Sequence, residues 1–355
     1  MNVADFDYDL PARYIAQTPA YPRDSAKLLR LDRDTGAVTH HVFSDIVDLL
    51  AADDVLVLNK TRVIPARLRA LKSKTGGKVE ILLLKQLTER RWEALVGGRN
   101  VREGMRLIIP GSDIHCAVVE QMAMSQRVVE FSKPIRERLR EYGEMPLPPY
   151  IQTALSDGER YQTVYSEIEG SAAAPTAGLH FTPALLGRLR RRGVRLAACV
   201  LHIGLDTFQP VTVEQVSDHK IHSEYAHIDQ RNVGIINDSK QRGGRIVAVG
   251  TTSARALETA AILSASGHPC RPDAHGETVR DAPLAAIDTD TSLFIYPGYR
   301  WRAVDAMITN FHLPRSTLLM MLSAFVGRER LLDAYETAKR MNYRFYSFGD
   351  AMFVA

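Results

Sequence analysis

The chain has 355 residues, 45% of them hydrophobic and 24% charged, with a formal net charge of +4. That length buries a full core and predicts two domains, and the mild positive balance permits a polyanionic partner without demanding one. Cys116, Cys199 and Cys270 lie far apart with no C-x-x-C pair, which excludes a disulfide framework and a zinc-ribbon spacing. The richest apolar run, Leu318 to Val326, is too short to cross a bilayer, and the opening MNVADFDYDLPARY lacks the basic start and apolar stretch of a signal peptide. A cytoplasmic protein with no membrane association is expected.

Asp54 to Leu58 (DVLVL) reads as a buried strand ending at Asn59. Six strand-like segments follow, near 62–72, 78–87, 91–97, 104–109, 113–121 and 126–132. Gly76-Gly77, Gly97-Gly98, Gly104 and Pro110-Gly111-Ser112-Asp113 punctuate them, the pattern of a small β-barrel or sandwich. A proline-rich exit, Met145 to Tyr150 (MPLPPY), marks a boundary. Helix and strand alternate after it. Thr182 and Pro183 predict an N-cap and first helical residue for a helix over 183–192, and the strand VRLAACVLHI follows Gly193. RIVAVG (245–250) predicts a strand running directly into the helix TTSARALETAAIL. Helices are predicted over 317–326 and 328–340, and a strand pair across Tyr343 to Val354. The fold class is therefore mixed α/β: a discontinuous α/β domain of 1–60 and 147–355, with a small six-stranded β-barrel inserted over 61–146. The two crossings must lie together, and such seams are favoured places for ligand clefts.

Four segments place His, Arg, Glu or hydroxyl residues at the ends of apolar runs, where they would face a cleft. In GSAAAPTAGLHFT (170–182) nine small residues precede His180; they predict a loop that admits a ligand close to the backbone, or one packed tightly under a neighbour. DHKIHSEY (218–225) holds His219, His222 and Glu224, without the H-E-x-x-H spacing of zincins, so acid–base or hydrogen-bonding work is expected there and metal binding is not. VGTTSARALE (249–258) offers Thr251, Thr252 and Ser253 in a first helical turn, with Arg255 and Glu258 beyond; a capped helix carrying an i,i+3 ion pair explains it equally well. TNFHLPRST (309–317) places Asn310 and His312 between a strand and a helix. Arg188, Arg190, Arg191, Arg192 and Arg195 form the strongest basic cluster, at a helix end where positive charge is at home. P-loop, G-x-S-x-G and glycine-rich dinucleotide motifs are all missing. The residues alone indicate an acid–base enzyme for an anionic or polar ligand; an ordinary methyltransferase and a non-catalytic RNA-binding module remain as alternatives.

These segments closely resemble the S-adenosylmethionine:tRNA ribosyltransferase-isomerases of the queuosine pathway. The likeness runs through DFDYDLPARYIAQTP, RDSAKLLRLDR, LVLNKTRVIPARL, GKVEILLL, MPLPPYI, ERYQTVYSEIEGSAAAPTAGLHFT, LHIGLDTFQPV, HKIHSEY, VGTTSARALE, LFIYPGY, TNFHLPRSTLLMMLSAF and YRFYSFGDAM. Lys60, Asp206 and Lys27 depart from the family pattern, Lys60 by changing the charge at the seam. The resemblance implies transfer of the ribosyl part of S-adenosylmethionine (AdoMet) to the aminomethyl group of a 7-deazaguanine at the tRNA wobble position. Adenine and methionine leave, and epoxyqueuosine forms. AdoMet is then a consumed substrate, with no cofactor and no metal, and the partner is a tRNA anticodon loop, whose unpaired bases can be splayed out and read. A monomer is expected. The implied acid–base pool is His180, His202, His222 and Glu224: one base for a C5′ proton acidified by the sulfonium, and one acid for departing adenine. Asn59, Arg62, Thr176, Ser253, Arg255, Glu258, Asn310 and His312 make up the expected substrate-binding set.

Overall fold

Each residue of the predicted strand DVLVL is buried, because it lies in the middle of a nine-stranded sheet with helices on both faces. The structure is a computed structural model and describes residues 1–122, 125–153, 155, 157–204, 211–221, 223–266 and 282–355. Two units form: Met1–Thr61 with Pro149–Ile168 and Pro175–Ala355, and Arg62–Pro148 with Glu169–Ala174.

In chain order the elements are β1 (Lys27–Leu31), β2 (Val38–Val42), α1 (Ile46–Leu49), β3 (Val55–Asn59) and β4 (Thr61–Val63). Then come β5 (Arg67–Lys72), β6 (Lys78–Gln86), β7 (Arg91–Gly97), β8 (Arg106–Ile108), β9 (His115–Gln121), β10 (Gln126–Phe131), α2 (Leu139–Tyr142) and β11 (Gly143–Glu144). The chain continues with β12 (Ile168–Ser171), α3 (Pro183–Arg191), β13 (Arg195–Leu201), β14 (Glu224–Ile228), α4 (Gln230–Gln241), β15 (Ile246–Val249) and α5 (Thr251–Ser266). It ends with β16 (Ile287–Thr291), β17 (Ala306–Asn310), α6 (Thr317–Val326), α7 (Arg328–Arg340) and β18 (Ala351–Val354).

The first unit's sheet runs β16-β14-β13-β3-β15-β17-β18-β1-β2. Its centre, β13-β3-β15-β17, is parallel, so those four strands end at one edge of the sheet. Leu56, Leu58, Val247, Val249 and Ile308 pack with Phe181, Leu185 and Leu189 on one face. Burying each such aliphatic side chain contributes about 2 kcal/mol. Helices α4 and α5 lie against the sheet as well. At the N-terminal edge the buried Asp54 carboxylate receives the Arg245 guanidinium (2.6 Å) and the Arg245 N–H (2.9 Å), tying β3 to β15. That edge is built for stability. The opposite edge, outside the strands' carboxyl ends, is where open α/β sheets bind ligands.

In the second unit β5-β6-β7-β10-β9-β8 are antiparallel neighbours, and β8 closes back on β5, giving a six-stranded barrel. The barrel has no long free edge because β11 takes the first half of β5 (Leu68 opposite Gly143) and β8 the second (Leu71 opposite Ile108). The run predicted over 62–72 breaks into β4 and β5 around Pro65, which has no N–H for a ladder. Glu169–Ala174, left with the α/β part by the sequence reading, belong to this unit, where the Ile64 N–H donates to the Ser171 carbonyl (3.1 Å).

Thr182 caps α3 by accepting from Leu185 N–H (3.1 Å), with Pro183 at the first position, as predicted. The strand pair predicted over 343–354 does not form. Asn342 (φ 54°) and Tyr346 (φ 71°) are left-handed and turn the chain. Asp350 holds that turn, accepting from the backbone N–H of Arg344 (2.7 Å) and Lys27 (3.0 Å), so only β18 remains as strand.

Candidate active site

Strand ends at the C-terminal edge of the first unit's sheet deliver the polar residues. Asn59 closes β3, His202 follows β13, Thr251 follows β15 directly across Gly250, and Asn310 closes β17. They divide into two clusters.

The first surrounds Glu224 and Arg255. Glu224 opens β14; its Oε2 accepts from Arg255 Nη1, and its Oε1 accepts from the Gly204 N–H (2.7 Å). Both side chains are nearly buried, at 9% and 7% exposure, so this is an ion pair withdrawn from water rather than a surface contact. Arg255 Nη2 donates to the Thr291 carbonyl (3.3 Å), while the buried Arg255 Nε has no partner among the described residues. Both residues line a narrow cleft whose other walls are mostly apolar: Ile221, Leu293, Phe294, Ile295, Leu318 and Met321. His219 also lines it, edge-on to Phe294. His202 stands beside the pair, its ring stacked on Tyr225 and its Nδ1 2.8 Å from Thr61 Oγ1. His222 and Asp206 lie outside the described residues.

The second cluster centres on His180 and Asn310. Asn310 Nδ2 reaches His180 Nε2 (3.3 Å) and the Tyr346 carbonyl (3.0 Å), while the buried Asn310 Oδ1 is without a partner among the described residues. The His180 ring rests on Phe43. Burial, then the positive charges of Arg344 and Arg23, push its pKa down to about 3, so it is neutral at pH 7. His312 is pushed down to about 3 by desolvation alone, with Nε2 on Thr309 Oγ1 (2.8 Å). Its backbone is fixed too, accepting from the Tyr8 hydroxyl and donating to that of Tyr335 (3.0 Å).

Several residues of the expected substrate-binding set make hydrogen bonds within the fold. The Asn59 amide donates to the Leu201 carbonyl and Thr252 Oγ1, and its oxygen accepts from the N–H groups of Thr61 and Leu201, which fills its hydrogen-bonding capacity. Ser253 is fully buried and bonds back to the Val249 carbonyl (2.9 Å). Glu258 makes no i,i+3 pair with Arg255. It is fully buried and accepts from Tyr299 Oη and from the N–H groups of Arg302, Ala303 and Val304. Burial raises its pKa, against the pull of those donors. Thr176 is half-buried at the start of the turn Thr176–His180, and Arg62 belongs to the second unit. The small residues there serve packing: a Cβ on Gly178 would stand 2.0 Å from the Tyr165 hydroxyl. Lys60 pairs with Glu167 (3.0 Å), and Lys27 donates to the Met341 and Asn342 carbonyls. Among the described residues no group of three or more His, Cys, Asp or Glu is arranged to hold a metal ion. No helix among them is long and apolar enough to cross a membrane.

Arg23, Arg344 and Tyr346 were not in the expected set. Arg23 donates to the carbonyls of Gln162 (2.9 Å), Leu179 (3.2 Å) and Glu159 (2.8 Å), bracing the His180 turn. The available signal was the charged and aromatic density of RDSAKLL and YRFYSFGD, to which periodicity attaches no chemistry.

A family model described as "Queuosine biosynthesis protein" matches residues 3–354. S-adenosylmethionine:tRNA ribosyltransferase-isomerase of Heliobacterium modesticaldum is 49% identical over the full length of both chains, and those of Staphylococcus haemolyticus and Staphylococcus aureus are 46% and 47% identical over theirs. The crystal structure of S-adenosylmethionine tRNA ribosyltransferase from Thermotoga maritima matches with a TM-score of 0.55 and 35% identity, covering 99% of this chain and all of that one. With this full-length likeness and the shared architecture of an α/β sheet and a six-stranded barrel, the chain belongs to the S-adenosylmethionine:tRNA ribosyltransferase-isomerase family of queuosine biosynthesis.

Proposed function

We propose that this enzyme transfers and isomerises the ribosyl part of AdoMet onto the aminomethyl group of a 7-deazaguanine at the tRNA wobble position, giving epoxyqueuosine-tRNA with release of adenine and methionine. The observation that carries the reading is the identity of 46–49% to enzymes of that name over the whole chain. AdoMet is consumed as a substrate, with no metal and no resident cofactor, and the partner is an anticodon loop.

The Glu224–Arg255 cleft is the proposed AdoMet site. Its apolar walls suit the methionyl chain, and Glu224 with Phe294 suits a sulfonium cation. The Arg255 Nε–H, which has no acceptor among the described residues, can be satisfied by a substrate oxygen. A neutral His180 accepts protons or hydrogen bonds at pH 7, which leaves protonation of adenine to His202 and His222. The attacking amine, with an ordinary pKa of roughly 10, loses its proton more readily near Arg23 and Arg344, whose charges also depress His180.

The test is incubation of the protein with AdoMet and precursor-bearing tRNA. Adenine should appear in step with modified tRNA. Formation of S-adenosylhomocysteine instead would make the chain a methyltransferase.

A further inference from the structure

The hairpins β5–β6 and β9–β10 and the connection from β7 across to β8 all turn at the same end of the barrel, because neighbouring strands alternate in direction. Six cationic residues gather there: Lys72, Lys74 and Lys78 on the first hairpin, and Arg99, Arg102 and Arg106 on the second connection. Lys72 Nζ donates to the Arg99 carbonyl, and Ser73 N–H to that of Arg106 (3.0 Å), so the two segments are adjacent. All but the partly buried Lys72 are exposed. Glu103 is the only carboxylate in either segment, and none of the six makes an ion pair among the described residues. The barrel's other end behaves differently: Arg90 and Arg91 meet Glu130, and Lys133 meets Asp113. An open polar cleft, with Asn100, Arg102, Gln121 and Arg127 in its wall, lies between the β7–β8 connection and the β9–β10 hairpin.

We propose that this hairpin end of the barrel is a docking surface for the sugar–phosphate backbone of tRNA. Unpaired cations held close together repel one another, and a polyanion with regularly spaced charges relieves that repulsion. The arginines at the end of α3 have a simpler account, since the carbonyl end of a helix favours positive charge, whereas hairpins have no such dipole. The surface rests on the tRNA substrate proposed above. It contacts phosphates and therefore holds and orients the RNA without reading its sequence.

The test uses full-length protein carrying Lys74→Ala, Arg99→Ala and Arg102→Ala together, with precursor-bearing tRNA binding measured at several salt concentrations. Affinity should fall about tenfold or more at low salt, and the slope of log K against log salt should shrink by about 2–3, roughly one per lost phosphate contact. The charge-keeping triple Lys74→Arg, Arg99→Lys, Arg102→Lys should retain most of the affinity, which separates charge from any folding defect. The paired-end triple Arg90→Ala, Arg91→Ala, Lys133→Ala should bind within about twofold of the unaltered protein, because it removes cations already neutralised. Equal affinities for the hairpin-end triple and the unaltered protein would overturn the surface, as would loss of affinity confined to Arg190→Ala with Arg191→Ala. Absence of adenine release by the unaltered protein would instead overturn the proposed reaction, while the binding series still decides the surface.

Discussion

Arg255 joins a helix, two strands and the cleft through one guanidinium, paired to Glu224 and bonded to the Thr291 carbonyl. Lysine keeps the charge and loses the planar fork. Arg255→Lys is therefore expected to lower kcat/KM for AdoMet by about 10–100-fold. Unchanged kinetics would make the pair purely structural. Glu258 carries the opposite expectation. Glutamine in its place presents N–H where the carboxylate accepted, so Glu258→Gln should cost about 2–4 kcal/mol in urea unfolding with little change in KM. A raised KM at unaltered stability would return Glu258 to the binding set. The neutral histidines give a pH signature. His180, at about 3 when folded, regains its ordinary pKa near 6.5 when unfolded, so the unfolded chain binds the extra proton between those values. Its contribution is complete above pH 6.5 and falls by about 1.4 kcal/mol per pH unit on acidification through that window. His312 adds a parallel loss. Urea midpoints from pH 7 to 5 should drop less steeply for His180→Gln; an identical slope would contradict the buried neutral ring.

The turn Thr176–His180 shows how an element's packing decides the role of its residues. Gly178 sits under Tyr165, and Thr163 Cγ2 lies 2.8 Å from where a Cβ would be. Gly178→Ala should destabilise the protein by about 1–3 kcal/mol through overpacking, with Tyr165→Phe partly relieving it. An additive double variant would show that the two do not touch. Legibility from sequence follows the same division. Helices α3, α6 and α7 were readable because their caps and periodicity are local: Thr182 with Pro183, Ser316, and Arg328 directly after Gly327. The segment 343–350 was misread, since alternating aromatics mimic a strand while left-handed Tyr346 and the Asp350 bonds make it a turn. The roles of Asn59, Ser253 and Glu258 depend on partners from distant parts of the chain, which no local pattern announces. The partner of Arg255 is Glu224, 31 positions away, rather than Glu258 on its own helix.

At the scale of the whole molecule, the mixed α/β architecture with a six-stranded barrel was legible from strand spacing and from the change in texture after Asn59. The reaction was not legible from chemistry alone, because its acids and bases are common side chains without a fixed spacing. It came from long ordered strings and full-length relatives. A chelator is expected to leave adenine release unchanged; loss restored by zinc would contradict the metal-free account. The central claim is that the ribosyl carbons of AdoMet, rather than its methyl carbon, enter the tRNA. AdoMet labelled in the ribose and, separately, in the methyl group tests this directly. The account predicts ribose label in the tRNA and methyl label in free methionine; methyl label in the tRNA, or no ribose label there, would contradict it.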